Sequence, residues 1–298
     1  LLRRNDIEHV VSVDLSHEKA GQPVSDRLTQ VNQDVRESLS PVICEHRPDT
    51  VIHLAFLLQT HRDEKYARSI NVGATERLLE ACAGSMVKRF IYLSSTTVYG
   101  ARASNDRPFD ESDAAAPTPG FQYSQHKVET ERAIRRAAID HPETTFTILR
   151  ACPVMSTGTS NFISESLGLK VLPVPMGHDP ELQFIHLDDL LAVFTRVLAT
   201  ENAEGARGIF NIAGEGSVRW SGMTRISGAT KVPVPLVVLR AVVGLSWALR
   251  LQSKSPSSGL AMITHPWLAS TEKATNVLGW KPRFPSRQAV EDWARGRS

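Results

Sequence analysis

Short apolar runs alternating with longer segments of helical period predict an α/β fold built on a parallel sheet covered on both faces. Three observations carry that expectation. Residues 10–14, 50–54, 89–94 and 145–150 read as strands. Between them, residues 41–46, 67–83 and 122–139 read as helices, with Ala74, Leu78, Leu79 and Cys82 at helical spacing. After Arg150 the texture changes, as Pro153, Gly158, Gly168, Pro173, Pro175, Gly177 and Pro180 break the chain into short segments. The expected organisation is therefore a larger α/β unit over 1–151 and a smaller, loop-rich lobe over 152–298, with a helix over 187–200 returning to the first unit. Asp188 and Asp189 suit the N-terminus of that helix. Residues 271–278 read as a short helix stopped at Gly279.

Composition narrows the partners. The 298 residues carry 34 Lys and Arg against 32 Asp and Glu, a net charge of +2 with no basic patch, so a small molecule rather than nucleic acid is expected. Cys44, Cys82 and Cys152 form no CxxC pair, which argues against a zinc site and a disulfide framework and favours the cytoplasm. Leu1 to Asp6 turns charged at once and does not read as a signal peptide. The apolar run 232–251 contains Arg240 and Arg250 behind Pro233 and Pro235. Spanning a bilayer takes about 20 uninterrupted apolar residues, so the run reads as a partly buried helix entering after a proline, without stable membrane insertion. Peripheral membrane contact stays open.

The sharpest motif is Tyr123-Ser124-Gln125-His126-Lys127 on the third helix, preceded by Ser94-Ser95-Thr96-Thr97-Val98-Tyr99-Gly100 at the end of a strand. Residues four apart share a helix face, so the Tyr123 hydroxyl and the Lys127 ammonium can enter one cleft. Shifting a phenol from a pKa near 10 to about 7 requires roughly 4 kcal/mol of preferential phenolate stabilisation, which a neighbouring ammonium and an oxidised nicotinamide can supply. Ser95, at the carboxyl end of a parallel strand, stands where ligands bind in such sheets. A Tyr and a Lys four apart occur by chance on many surface helices; the preceding strand gives this pair its weight.

With Asp34-Val35, His53-Leu54-Ala55, Asn71-Val72-Gly73-Ala74-Thr75, Phe184 to Asp189, Gly208 to Gly214 and Leu278 to Pro282 in order, the sequence resembles the extended short-chain dehydrogenase/reductase (NAD-dependent epimerase/dehydratase) family, near bacterial UDP-glucose 4-epimerase-like proteins. The resemblance implies a Rossmann-type doubly wound sheet, NAD as cofactor and Ser95, Tyr123 and Lys127 as catalytic residues. It places Asp14 on the adenosine ribose, where its charge repels a 2′-phosphate. It places Asp34 and Val35 on the adenine, Leu54, Ala55 and Phe56 in the loop passing the cofactor, and Asn71, Tyr123, Lys127 and Pro153 in the cofactor site. Ser95, Thr96 and Asn161 are the substrate candidates.

The family's first strand and Gly-x-x-Gly-x-x-Gly turn are absent here, and Leu1 to Asp6 looks like the tail of the helix that follows them; about 25 residues are expected ahead of it in this architecture. UDP-galactose 4-epimerases of the family carry an Arg at the position of Leu182, and its dehydratases carry Asp-Glu where Thr96 and Thr97 stand. The expected function is epimerisation of a sugar or nucleotide sugar through a transient ketone, by a chain that can form a homodimer. A net dehydrogenase or reductase of the hydroxysteroid or flavonoid kind is the first rival, and a non-catalytic dinucleotide-binding regulator the second. His53, His126 and His186 lack metal-like spacing, and the five tryptophans read as packing of the small lobe. If Asp14 reads the ribose, NAD binds more tightly than NADP and Asp14→Ala narrows the gap; calorimetric titration of both nucleotides checks this.

Overall fold

The computed structural model describes residues 1–17, 25–199, 205–252 and 255–297. The first half runs β1 (Val10–Asp14), β2 (Leu28–Asn32), α1 (Ser40–His46), β3 (Thr50–His53), α2 (Glu64–Arg68), α3 (Ala74–Cys82), β4 (Arg89–Ser95), α4 (Gln122–Asp140) and β5 (Thr145–Ala151). The second runs α5 (Phe162–Leu167), β6 (Val171–Pro175), β7 (Glu181–Leu182), α6 (Leu187–Val197), β8 (Gly208–Ile212), β9 (Val218–Arg219), α7 (Trp220–Ile226), β10 (Thr230–Val234), α8 (Leu236–Ala248), α9 (Glu272–Leu278) and α10 (Ser286–Arg295).

The main sheet is parallel, in the order β3-β4-β5-β8, and aligns His53 with Tyr92, Ser95 with Ala151, and Ala151 with Ile212. Every residue of β5 is buried. Its side chains alternate between two cores, because strand neighbours point to opposite faces. Leu149 and Ala151 join Leu190, Val193 and Val197 of α6 and Ala274 and Leu278 of α9. Phe146 and Ile148 join Leu39, Leu78 and Ile134, which brings α3 and α4 to the other face. Helices therefore cover both faces. β1 and β2 form a separate parallel pair, and among the described residues no ladder joins β1 to β3. That gap is the place the resemblance gives to the strand of the glycine turn, and β1 and β2 are correspondingly only half-buried. A third core gathers Met155, Leu182, Phe184, Trp220, Trp267 and Trp293 with Phe121 from the entry to α4. Trp280 instead packs under the main sheet, and Trp247 is only partly buried.

Several elements differ from the sequence reading. Residues 1–6 form turns rather than a helix tail, because the Arg27 guanidinium gathers the carbonyls of Leu2, Arg4 and Ile7. The single helix expected over 67–83 is α2 and α3 joined by a π-helical turn, Ser69–Gly73. Strands not expected from the sequence include β2, which pairs with the expected β1, and β6 and β10, which pair with each other; β2 is mostly polar, and prolines interrupt the other two. The helix expected over 187–200 ends at Val197, and residue 200 lies outside the described residues. Asp189 is fully buried and accepts the Arg283 and Phe284 amides at 3.0 and 2.9 Å, so it moors the C-terminal segment to α6. Gly279 ends α9 at φ 60°, a left-handed conformation that favours glycine.

A buried polar chain pins α4 to the sheet. The Arg150 guanidinium grips Glu131 of α4 at 2.6 Å, and both side chains are 3% exposed. Ser94 of β4 donates to the same carboxylate at 2.6 Å; Arg150 also donates to the Tyr99 hydroxyl at 2.9 Å, which donates to Asn211 of β8 at 2.8 Å. Removing one partner strands the other charge in the interior. Glu131→Gln or Arg150→Met should each cost about 3–5 kcal/mol in urea unfolding, whereas the paired replacement Glu131→Leu/Arg150→Met should recover most of the loss.

Candidate active site

The site forms at the carboxyl edge of the main sheet. Ser95 ends β4 in extended conformation, and its side chain accepts the Thr97 amide at 3.2 Å, so the strand turns into a 3₁₀ turn, Thr96–Tyr99, without leaving the edge. Gly120, at φ 71°, turns the chain into α4, and Tyr123 lies in the first turn of that helix. Burial pushes the Tyr123 phenol up to about 12, while the Ser95 hydroxyl, within hydrogen-bonding reach, draws it down. Lys127, one turn further, is 3% exposed. Its ammonium donates to the Leu93 carbonyl at 2.7 Å and lies 3.7 Å from the Phe56 ring centroid, 4.7 Å from Tyr92 and 5.6 Å from Tyr123. Three ring faces stand in for part of its lost water, an attraction of up to about 2 kcal/mol per desolvated contact. Burial nonetheless brings the ammonium down to about 7, against the upward pull of Glu131.

Two stripes of α4, each of residues four apart, divide the work. Tyr123, Lys127 and Glu131 face the cleft and the sheet. Gln122, His126 and Thr130 clamp the segment that follows β3. Gln122 accepts the His61 amide at 2.8 Å and donates to its carbonyl at 3.1 Å. His126 sits between the Asn71 amide nitrogen at 3.1 Å and Glu64 at 2.8 Å; with Asn71 donating to Nδ1, the ring proton is assigned to Nε2, facing Glu64. Thr130 donates to the Asn71 carbonyl at 3.0 Å. The 1% exposed Asn71 also accepts the Leu57 amide at 2.7 Å, fixing the loop that carries Phe56 over Lys127. π-helical turns recur at functional sites, and here the turn holds Asn71 between loop and helix.

The remaining candidates are spread along this edge. Asp14 closes β1 with an exposed carboxylate that accepts the Leu15 amide at 2.7 Å; among the described residues it has no cationic partner, which leaves it fit to accept ribose hydroxyls. Asp34 is held by Arg36 at 2.6 Å, which lowers its pKa, with half-buried Val35 beside it. Leu54 is exposed and Ala55 half-buried on the loop after β3. The Pro153 carbonyl accepts the Ile185 amide at 3.1 Å. Thr96 and Thr97 have buried hydroxyls without a hydrogen-bond partner beside Ser95, donors that a bound polar ligand can satisfy. Asn161 caps α5, accepting the Ile163 and Ser164 amides and donating to the Val154 carbonyl, so its amide is already spent locally. Leu182 is 1% exposed in the third core and points no charge at the cleft. His53 bonds Thr75 at 2.8 Å and burial pushes it down to about 3; His186 caps α6. Among the described residues no three His, Cys, Asp or Glu gather as a metal site.

The sequence reading did not single out Gln122, Glu131 or Arg150 as members of this site. The i, i+4 spacing that flagged Tyr123 and Lys127 also runs to Glu131, a signal that was available.

The sequence profile of the NAD-dependent epimerase/dehydratase family matches residues 1–213. The chain belongs to that family. Within it, an uncharacterised protein of Mycobacterium tuberculosis is 26% identical over 302 residues, spanning 98% of this chain and 77% of the relative. The UDP-glucose 4-epimerase of Thermotoga maritima, solved with UDP-glucose, superposes with a TM-score of 0.73 at 19% identity over 97% of this chain and 90% of its own. The UDP-glucuronic acid 4-epimerase of Bacillus cereus, solved with UDP-glucuronic acid and NAD, gives 0.71 at 20% identity over 97% and 92%. The Rossmann-like fold of this epimerase/dehydratase member is thereby shared with both.

The depressed Lys127 pKa sets a stability signature. An unfolded lysine keeps its proton to about 10.5 whereas the folded one releases it near 7, so between these values the unfolded state holds more protons and stability rises with pH. Against Lys127→Met, the parent's unfolding free energy should climb from pH 7 toward pH 10 and lose that increment as pH falls through 7; urea titrations across this range measure it.

Proposed function

We propose that this chain is an NAD-dependent epimerase of a sugar carried as its nucleotide, inverting one carbinol by transient oxidation. The observation that carries the reading is the convergence of Ser95, Tyr123 and Lys127 at the carboxyl edge of a parallel sheet. NAD, when bound, supplies the acceptor that takes hydride from the carbinol and the donor that returns it to the other face of the ketone. Asp14 would hold the adenosine ribose and Lys127 the nicotinamide ribose. Tyr123 takes the proton of the sugar hydroxyl, and Ser95 steadies the same oxygen.

The two pKa shifts show what the residues must achieve. A phenol near 12 and an amine near 7 are both driven toward their neutral forms by burial. Lowering the phenol from about 12 to about 7, so that it ionises at neutral pH, takes about 7 kcal/mol of phenolate stabilisation. A phenolate at Tyr123 and an ammonium at Lys127 favour one another, so each makes the other's charged form easier to reach. The Thr96 and Thr97 hydroxyls offer neither the acid nor the base that dehydration needs. The two neighbouring epimerases hold UDP-sugars, which supports a nucleotide-sugar substrate; with Leu182 in the core, the diphosphate here must meet other donors.

A panel of UDP-, dTDP- and GDP-sugars tests the reading with two readouts, inversion by NMR and NADH absorbance. Inversion without net NADH is the expected result; stoichiometric NADH would instead establish a dehydrogenase. On the best substrate Tyr123→Phe should lose about 10²- to 10⁴-fold in rate with NAD affinity nearly intact, while Lys127→Ala weakens both. Equal turnover by Tyr123→Phe and the parent would remove Tyr123 from the chemistry, and NAD binding by the parent without turnover of any sugar would move the regulator reading ahead.

A further inference from the structure

Helix α8 presents an unusual surface. A helix packed on a core buries one apolar stripe and shows water a polar one. In α8 only Leu239 is buried, while Val237, Val242, Leu245 and Leu249 are 78%, 59%, 61% and 59% exposed. With Val238 and Ala241 these residues fall at i, i+1, i+4, i+5, i+8 and i+12, a single face. On nearby β6 and on β10, Val171 and Val232 are likewise 56% and 43% exposed. Contiguous apolar surface of this kind marks a docking face.

Charge indicates what docks there. Residues 216–271 contain Arg219, Arg225, Lys231, Arg240, Arg250 and Lys254 and no Asp or Glu. Arg240 and Arg250 flank the stripe, and among the described residues neither has a carboxylate within ion-pair distance. The 13-residue helix spans about 20 Å, short of the roughly 30 Å hydrocarbon core, and no described helix is long and apolar enough to cross a membrane. A short apolar face fringed by arginines suits the plane of an anionic bilayer. A second copy fits less well, because two-fold pairing through the stripe sets each copy's arginines against the other's.

From this apolar face and the two unpaired arginines beside it we infer that α8 is a docking surface for an anionic lipid bilayer. The inference is independent of the catalytic reading.

Co-sedimentation of the whole protein with phosphatidylcholine–phosphatidylglycerol vesicles, and with pure phosphatidylcholine vesicles, tests it. Binding to the anionic vesicles that weakens with added salt is expected, with far less binding to the neutral ones. Each basic residue near an anionic surface contributes about fivefold, so Arg240→Glu/Arg250→Glu should lower partitioning at least about tenfold. Val242→Asp/Leu245→Asp should do likewise, and both variants alter exposed positions, so their circular dichroism should match the parent's. Failure of the parent to bind anionic vesicles overturns the proposal, as does unchanged binding by either folded variant. A dimer in sedimentation equilibrium that Val242→Asp/Leu245→Asp dissolves, with vesicles left unbound, would assign the face to a second copy instead.

Discussion

A carboxylate and a guanidinium buried together between a helix and a sheet are costly to separate, and through Glu131 and Arg150 that cost fixes where α4 stands. The helix is rigid over its 19 residues, so fixing it at Glu131 also sets the depth of Lys127 and Tyr123, one and two turns toward its N-terminus. Ser94 extends the constraint to β4, whose next residue is Ser95. The hydroxyl, phenol and ammonium of the site are thus placed by one buried pair on which they do not directly depend for their chemistry. Glu131 also acts on them through space, since its charge opposes the loss of the Lys127 proton.

The second stripe of α4 solves a different problem. The segment after β3 has no sheet partner beyond His53, so its backbone must find hydrogen bonds elsewhere. Asn71 supplies one for Leu57 and Gln122 two for His61, and the loop thereby lays Phe56 on the Lys127 ammonium. The face of the ring partly replaces water at a charge that burial would otherwise remove. Loop, helix and buried lysine are consequently one unit.

Much of this was legible in the sequence, for reasons that can be named. β5 is buried on both faces and carries β-branched and aromatic residues around an apolar centre, Ile148-Leu149, and α4 carries a motif whose spacing is the helix period itself. β2 escaped notice because Leu28–Asn32 has three polar residues in five and rests on one neighbour. The π-helical turn escaped because nothing in Ser69–Gly73 breaks helical period; its register is set by Asn71's partners, which lie 14 and 55 residues away. Arg150 read as the last residue of a strand, and only the fold brings it to Glu131. Asn161 shows the opposite failure, a polar residue near the cleft whose side chain is consumed by capping α5. Local pattern locates elements and motifs, whereas polar side chains acquire their roles from contacts distant in sequence.

The loop after β3 also reaches the small lobe. The Arg62 guanidinium lies 4.1 Å over the Trp247 ring and donates to the carbonyls of Trp247 and Gln252 at 2.7 and 3.1 Å, clasping the end of α8. Its neighbour His61 is the residue that Gln122 grips, and Gln122 precedes Tyr123. The exposed apolar helix and the Tyr123 phenol are therefore separated by two clasps and a few bonds of backbone. Contiguity of this kind is a route and not yet a signal, because coupling needs an element with two arrangements that both ends bias. The loop carries Phe56, its contact with Lys127. The Phe56 ring centroid lies 3.7 Å from the Lys127 ammonium, so the lysine is a group of the site that this loop touches directly.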